Sequence, residues 1–207
     1  MRLIIDDEFA PSSSMGGRFR TPTERDGAVR LNIPVENQLL NNWCWAAIAS
    51  ALGRYYGTSD ESQAQIASQV LKKNCLEFAF DDEVRRSADT ISRLDIAMSV
   101  AGCYSHWSAG KPLFDRVRFE INFGRPFGAR VGWHAGAAHY VLIHGYRDHG
   151  EKLLVADPLH GSGEYSLGEF PARYRQGGAW TETFWTAPAQ RVRNQVIAQQ
   201  QTKGDCN

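Results

Sequence analysis

The 207-residue chain has no long apolar run that would place it in a membrane. A membrane-spanning helix needs about 20 consecutive apolar residues, and no segment of the sequence approaches that length. The N-terminal sequence MRLIIDDEFAP is not typical of a secretory signal, because Asp6, Asp7 and Glu8 end its short apolar stretch. We therefore expect a soluble protein without a membrane partner, either cytoplasmic or secreted by a route that does not use such a signal.

The chain also lacks an excess of charge of either sign. Lysine plus arginine and aspartate plus glutamate each number 23, so the formal net charge at pH 7 is zero. Nucleic acids bind proteins largely through an excess of positive charge. The balance therefore argues against a nucleic-acid partner.

Cysteine is scarce, with four residues at positions 44, 75, 103 and 206. No pair has the C-x-x-C spacing that is typical of zinc and redox sites, so we expect no metal site. Cys75 and Cys103 are interpreted as unpaired structural thiols in a reducing compartment, with a disulfide pair as the alternative. Cys206 lies one residue from the chain end, where we expect the backbone to be mobile.

Composition divides the chain into three parts. Residues 1–30 are rich in Ser, Gly, Pro and charge and predict a flexible leader. Residues 31–188 are expected to form one domain with a sizeable core, which starts with a short strand that Pro34 ends. Residues 189–207 form a polar tail that we expect to be disordered.

The patterns within the domain predict helices first and strands second. Residues 41–56 are apolar on most faces and predict a buried helix, with Asn41 or Asn42 as its N-cap. Further helices are expected over 59–71 and within 81–100 and 112–124. Short β-prone runs follow at 130–133, 139–146, 152–157, 163–167 and 181–188. This order predicts an α+β fold in which an N-terminal helical half, with its buried helix, packs on a C-terminal antiparallel sheet.

Cys44 stands near the start of the buried helix, in the sequence QLLNNWCWAAI. Unpaired N–H groups and the positive end of the helix dipole stabilise a thiolate at such a position. A nearby cation lowers the pKa of the thiol further, and the thiolate is the reactive form. The alternative is a small buried residue between two tryptophans.

His139 and Asp157 are the candidate partners of this thiol. Strand alternation places His139 and His144 on opposite faces unless the strand bulges, so His139 is the histidine expected to face the thiol. A hairpin with its turn near residues 148–150 returns Asp157, the last residue of KLLVAD, to the level of His139. Its carboxylate can then accept a hydrogen bond from the imidazole. Taken singly, a structural histidine and an Asp-Pro turn are common features.

Gln38 lies six residues before Cys44, just ahead of the predicted helix. A side-chain amide at this position can donate to an oxyanion, together with the backbone N–H of Cys44. The joint occurrence of these four residues favours acyl transfer through a thiol nucleophile.

Three motifs carry these residues: Q-x5-C-W-A-A at 38–47, H-Y-V-x-I-x-G-Y at 139–146 and L-x-V-A-D-P at 153–158. Together they resemble the papain-like cysteine peptidase superfamily, and within it the bacterial branch of the C39-like and AvrRpt2-like (C70) peptidases. The resemblance covers about residues 33–187. It implies the papain-like fold and hydrolysis of a protein or peptide substrate through an acyl-thioester, without metal or organic cofactor.

The resemblance gives each candidate a role: oxyanion-hole glutamine Gln38, nucleophile Cys44, general base and acid His139, and orienting residue Asp157. Papain-like enzymes often place a tryptophan shortly after the orienting residue, where it shields the hydrogen bond to histidine. Here residues 158–160 are Pro-Leu-His, and the nearest later tryptophan is Trp180.

Two other functions are compatible with the same residues. A deamidase or thiol acyltransferase uses the same thiol, imidazole and oxyanion site, because these groups do not select water as the acceptor. A catalytically inactive binding module of the same fold is the non-enzymatic alternative. A secreted effector and an intracellular processing enzyme both fit the predicted organisation.

Overall fold

The computed structural model describes residues 21–187, and most of the predicted leader and the predicted tail lie outside this range. The helices are α1 (Cys44–Tyr56), α2 (Gln63–Leu71), α3 (Asp82–Ala88), α4 (Leu94–Val100) and α5 (Phe114–Asn122). The strands are β1 (Thr23–Arg25), β2 (Ala28–Arg30), β3 (Tyr104–Ala109), β4 (Phe127–Trp133), β5 (Ala138–Arg147), β6 (Lys152–Asp157), β7 (Gly161–Ser166) and β8 (Gly178–Thr186). Within residues 21–187, no helix is long and apolar enough to cross a bilayer.

α1 is the central helix of the helical half. Eleven of its 13 residues are buried, which confirms the prediction of a buried helix. Its alanine-rich surface packs against α2, α4 and β5, and it ends at Gly57 in the left-handed conformation with φ 66°. The N-cap is Trp43 without a side-chain cap, so the prediction of an Asn41 or Asn42 cap is wrong. The N–H of Asn42 donates instead to the Asp89 carboxylate, which ties the helix start to the loop after α3.

An eight-stranded antiparallel sheet forms the other half, in the order β1-β2-β5-β4-β8-β3, with β6 paired to β5 and β7 to β6. The α+β class with segregated halves is thereby confirmed. β5 is the best-covered strand, with β6 along one edge and β4 and β2 along the other. Gly145 allows the approach of β2, because a Cβ there would lie 2.6 Å from the Val29 carbonyl oxygen.

Three segments differ from the sequence prediction. Residues 23–30 form β1 and β2 and belong to the sheet rather than to a leader. β3 occupies a segment for which no helix or strand was predicted, and it pairs with β8 at the sheet edge. The helix expected within 81–100 is two short helices, α3 and α4, separated by an extended segment at 89–93. β2 and β3 pair with β5 and β8, which are distant in the sequence, and local sequence patterns do not reveal such pairing.

The hairpin of β5 and β6 forms as predicted, but with an irregularity. Gly145 pairs with Leu154 and Ile143 pairs with Val155, so His144 is an extra residue in β5. Such a bulge shifts the pairing by one residue. Beyond it, each residue of β6 therefore lies on the opposite face of β5 from the one that a regular hairpin would give it. His144 itself is held away from His139, since its Nδ1 lies 3.2 Å from the Leu31 carbonyl oxygen.

Candidate active site

A cleft of about 770 Å³ lies where the start of α1 meets the sheet. The extended segment between α3 and α4 forms one wall, and strands β3, β4, β5 and β8 form the other. Both Cys44 and His139 line it. The other lining residues are Asn41, Asn42, Trp45, Ile91, Ser92, Arg93, Trp107, Arg130, Ala137, Ala138, Tyr140, Glu182 and Phe184.

Cys44 is the first residue of α1 and is 7% exposed. Its own backbone N–H and the next ones belong to the first turn, where an α-helix provides no intrahelical acceptor. No side chain caps this turn. The thiol therefore stands in the positive field of the helix N-terminus, which favours negative charge on sulfur and on an oxygen bound beside it.

His139 lies in β5 opposite this thiol and is 5% exposed. Its Nε2 is 2.8 Å from Oδ1 of Asp157, and the ring also hydrogen-bonds the Cys44 side chain. Since Asp157 occupies Nε2, Nδ1 is the nitrogen available to the thiol. Burial lowers the pKa of His139, but the hydrogen bonds and charges of Asp157 and Cys44 outweigh it and raise the pKa to about 9.

Asp157 ends β6 and its side chain is fully buried. Besides His139, its Oδ1 accepts the backbone N–H groups of Leu159 at 2.7 Å and His160 at 2.9 Å. Its Oδ2 accepts the Tyr174 hydroxyl at 2.6 Å. Burial raises the pKa of this carboxyl, and these donors with the charge of His139 more than reverse it and lower the pKa to about 2. Asp157 is therefore a carboxylate throughout the physiological pH range.

Trp133 covers the histidine–aspartate pair. Its ring is stacked on His139 at 6.2 Å between centroids with an interplanar angle of 17°, and it lies 6.0 Å from the Tyr174 ring. The sequence showed no tryptophan shortly after Asp157. The shielding ring instead comes from the end of β4, six residues before His139, and the hairpin of β4 and β5 brings it back. The short spacing between the two strands, a β–turn–β pattern, is the sequence signal that could have indicated that Trp133 returns to His139.

Gln38 lies in the segment that leads into α1, as predicted, but it does not line the cleft. Its Nε2 donates to the carbonyl oxygens of Leu40 at 3.0 Å and Asn41 at 2.6 Å. A side-chain amide has two N–H donors, so both are used within this loop. Its Oε1 is buried, and it has no partner among the residues that the structure describes.

The remaining thiols contrast with Cys44. Cys75 and Cys103 are buried and unpaired, which confirms the prediction of free structural thiols. Burial raises the pKa of both, that of Cys103 to about 12, so neither is activated. Cys206 lies outside the described residues. Between residues 21 and 187, no three His, Cys, Asp or Glu side chains are grouped as a metal site.

The arrangement suits proton transfer between a thiol and an imidazole held in one orientation. An imidazole with a carboxylate on one nitrogen and a thiol on the other stabilises the thiolate–imidazolium state. The uncapped helix start supplies N–H donors next to the sulfur. These are the parts required for acyl transfer to sulfur.

A family model and several solved structures are similar to this chain. The model of a family described as "Peptidase_C39 like family" matches residues 30–181. Searching the curated proteins gives no match. Among solved structures, one similar chain is a double glycine motif protease from an AMS/PCAT transporter, in complex with the leader peptide. It is 18% identical with a TM-score of 0.47, and the match covers 80% of this chain and 98% of that one. Another is the Pseudomonas avirulence protein AvrPphB, 11% identical with a TM-score of 0.39, covering 75% and 97%.

Proposed function

This chain belongs to the peptidase C39-like family, and on that premise we propose that it hydrolyses peptide bonds with Cys44 as nucleophile, His139 as general base and acid, and Asp157 as orienting residue. The observation that supports the proposal most directly is the double engagement of His139. One ring nitrogen bonds Asp157 at 2.8 Å and the ring also hydrogen-bonds the Cys44 thiol. Family membership makes the protein a cysteine peptidase, and this contact supports the proposed roles of the three residues.

The reaction follows from these contacts. The Cys44 sulfur attacks the carbonyl carbon of the scissile bond, and the electron pair of the carbonyl moves onto oxygen. When the intermediate collapses, the imidazolium of His139 gives its proton to the departing amine, leaving an acyl-thioester on Cys44. His139 then removes a proton from water, whose oxygen attacks the thioester. The thiolate departs as the carboxylic acid product forms, and the enzyme is restored.

Asp157 keeps the imidazole in one plane during both proton transfers. Its carboxylate stabilises the imidazolium and remains ionised itself, since its pKa is about 2. With a pKa of about 9, His139 stays an imidazolium across neutral pH. An imidazolium beside a thiolate needs no separate base to generate the nucleophile.

The oxyanion needs donors on the helix side of the cleft. The backbone N–H of Cys44 is placed for this role by the helix start. Gln38 is the proposed second donor. In this structure both of its N–H groups bond Leu40 and Asn41, so donation to an oxyanion requires that one of these two bonds be exchanged for the substrate.

Replacement of the nucleophile is the decisive test of the proposed function. We expect Cys44→Ala to abolish turnover of a peptide substrate, since loss of a triad nucleophile costs up to about 10⁶-fold in kcat. Cys75→Ala is the matched control, because it removes a buried thiol outside the cleft and should keep activity. Mass spectrometry of a treated proteome gives the readout. New chain termini that depend on Cys44 support the proposal, and a gain of about one mass unit at Gln or Asn without new termini indicates deamidation instead.

The reactivity of Cys44 separates an enzyme from an inactive module of the same fold. Iodoacetamide at mildly acidic pH should label Cys44 in the intact protein, because a thiol without activation has a pKa of about 8.5 and reacts little there. Equal labelling of Cys44 and Cys75 at that pH would contradict an activated nucleophile.

A further inference from the structure

One group in contact with the triad has no role in the mechanism above. Tyr174 lies in the turn between β7 and β8 and is 2% exposed. Its hydroxyl donates to Oδ2 of Asp157 at 2.6 Å. Its ring packs against Trp133, Tyr165 and Phe170, with centroids 6.0, 4.8 and 5.1 Å away. The hydroxyl is therefore held in place by an aromatic cluster and has little freedom to turn away.

The two carboxylate oxygens of Asp157 accept different numbers of hydrogen bonds. Oδ1 accepts three hydrogen bonds, from the His139 ring and from the backbone N–H groups of Leu159 and His160. Oδ2 accepts one, from Tyr174, among the residues that the structure describes. The carboxylate side chain is fully buried, so water does not substitute for a lost donor. A carboxylate held only through Oδ1 is free to rotate about that oxygen, and a buried oxygen without a donor carries a large penalty.

We propose that Tyr174 is a positioning residue of the catalytic site, which fixes the plane of the Asp157 carboxylate and through it the orientation of His139. The inference rests on the proposed function, since it concerns the same triad. The order of contact runs from the Tyr174 hydroxyl to Oδ2, from Oδ1 to Nε2 of His139, and from the imidazole to the Cys44 thiol. Tyr174 is not among the residues that line the cleft.

This position predicts which kinetic constant changes. Because Tyr174 is outside the cleft lining, its hydroxyl acts on the chemical step and leaves substrate binding unaltered. Hydrogen bonds to charged groups are among the stronger ones in proteins. We expect Tyr174→Phe to lower kcat about ten- to a hundred-fold at constant KM. The ring stays in place in this variant, so the aromatic cluster keeps its packing.

Tyr165→Phe is the matched control. Tyr165 belongs to the same aromatic cluster, 4.8 Å from Tyr174 and 5.6 Å from Phe170 between centroids. Its hydroxyl makes no hydrogen bond within residues 21–187, so its removal tests the loss of a hydroxyl without loss of a bond to Asp157. We expect kcat and KM of Tyr165→Phe to equal those of the wild type.

The pH dependence of stability gives a readout that packing alone does not change. The titratable and charged groups around Asp157 are His139, Tyr174 and Arg175, with Cys44 and His160 beyond the imidazole. The pKa of Asp157 is lowered from 3.8 to about 2, so its contribution to stability is present above pH 3.8 and is lost as the pH falls through about 2. Loss of the Tyr174 donor raises this pKa toward its ordinary value.

Unfolding by urea at several pH values between 2 and 7 therefore tests the bond itself. The loss of stability in Tyr174→Phe should be largest near neutral pH and should shrink as the pH falls below about 4, where Asp157 of the variant becomes protonated. A loss of stability that is the same at every pH overturns the proposal, because it indicates lost packing. Unchanged kcat in folded Tyr174→Phe overturns it as well.

The outcomes separate this inference from the proposed function. If Cys44→Ala abolishes turnover while Tyr174→Phe keeps full kcat, the positioning role fails and the triad stands. If Cys44→Ala retains turnover, the proposed function fails whatever Tyr174→Phe does. If Tyr174→Phe does not fold, proton NMR of the wild type replaces it. A slowly exchanging downfield hydroxyl signal that is absent in Asp157→Asn supports the bond, and absence of the signal in the wild type overturns it.

Discussion

The two sides of the cleft are built differently. On the sheet side, His139 and Asp157 are buried and every charge already has a partner, with four donors on the carboxylate. On the helix side, the first turn of α1 has no cap, and the Gln38 amide is bonded to its own loop with Oε1 unpaired. On the sheet side, the hydrogen bonds of the Asp157 carboxylate are all formed without substrate. On the helix side, the N–H groups of the first turn have no side-chain cap, and Oε1 of Gln38 has no partner among the described residues.

This difference matches the charges that each side has to stabilise. In the proposed mechanism, the imidazolium on the sheet side exists before substrate binds, and a fixed carboxylate stabilises it at all times. The proposed oxyanion on the helix side exists only during reaction, so donors for it are most useful when nothing else in the protein occupies them. Substitutions on the sheet side should therefore change the pH profile, and those on the helix side should change the rate at every pH.

The largest effect expected on the sheet side comes from Asp157→Asn. We predict a fall in kcat/KM on the order of 10²–10⁴-fold, because a neutral amide orients the imidazole less well and does not stabilise its charge. The raised pKa of His139 means that the ion pair is complete below about pH 6.5 and is lost as the pH rises through about 9. In the variant this alkaline limb should move to lower pH, as measured by kcat/KM against pH. An unmoved alkaline limb would show that the carboxylate does not set the pKa of His139.

Gln38→Ala should give the next largest effect, on the helix side. If the amide serves the oxyanion, kcat should fall on the order of 10²–10³-fold with no change in the pH profile. Gln38→Glu is the matched variant, since it keeps the size of the side chain and removes the two N–H donors. Both variants also lose the bonds to the Leu40 and Asn41 carbonyls, so thermal unfolding must be measured beside kcat. If a folded Gln38→Glu variant kept the wild-type kcat, Gln38 would not stabilise the oxyanion, and its role would be limited to the hydrogen bonds within its loop.

The smallest effect is expected at Trp133, which covers the sheet side. Aromatic pairs contribute about 0.5–1.5 kcal/mol beyond their burial, so Trp133→Leu should lower kcat by no more than about ten-fold. Trp107→Leu is the control, because Trp107 lines the same cleft and is half exposed, whereas Trp133 is the ring stacked on His139. We expect the control to raise KM at constant kcat, with both constants measured on one peptide. A change of KM alone in Trp133→Leu would contradict a shielding role.

Much of the site was accessible from sequence because its residues lie at the ends of regular elements. The Ala-rich pattern predicted a buried helix, and Cys44 is its first residue. Period-two alternation separated His139 from His144, and the structure places the two in different surroundings. The roles of Cys44, His139, Asp157 and Gln38 stay predictions that the kinetic experiments address.

Contacts between distant segments were out of reach. Tyr174 has no sequence pattern that links it to the His139–Asp157 pair, because packing between loops depends on where each strand ends in space. The donors of Gln38 were expected to face the oxyanion, but local carbonyl groups of the same loop accept them. β2 and β3 are short strands that pair with β5 and β8, more than 70 residues away in the sequence.

By itself, the sequence determined which reactive groups lie at the ends of regular elements: a thiol at a helix start, a histidine at the start of a strand, and a carboxylate at the end of the next one. The tertiary structure decided that they meet. A regular hairpin in the register of Arg147 and Lys152 would set Asp157 opposite Leu142, on the face of β5 away from His139. The extra residue His144 shifts the pairing by one, so that Asp157 lies on the face of His139. Leu31 stabilises this bulge, because its N–H donates to the His144 carbonyl oxygen at 2.8 Å. Leu31 is distant from His144 in the sequence, so no local sequence pattern predicts the contact.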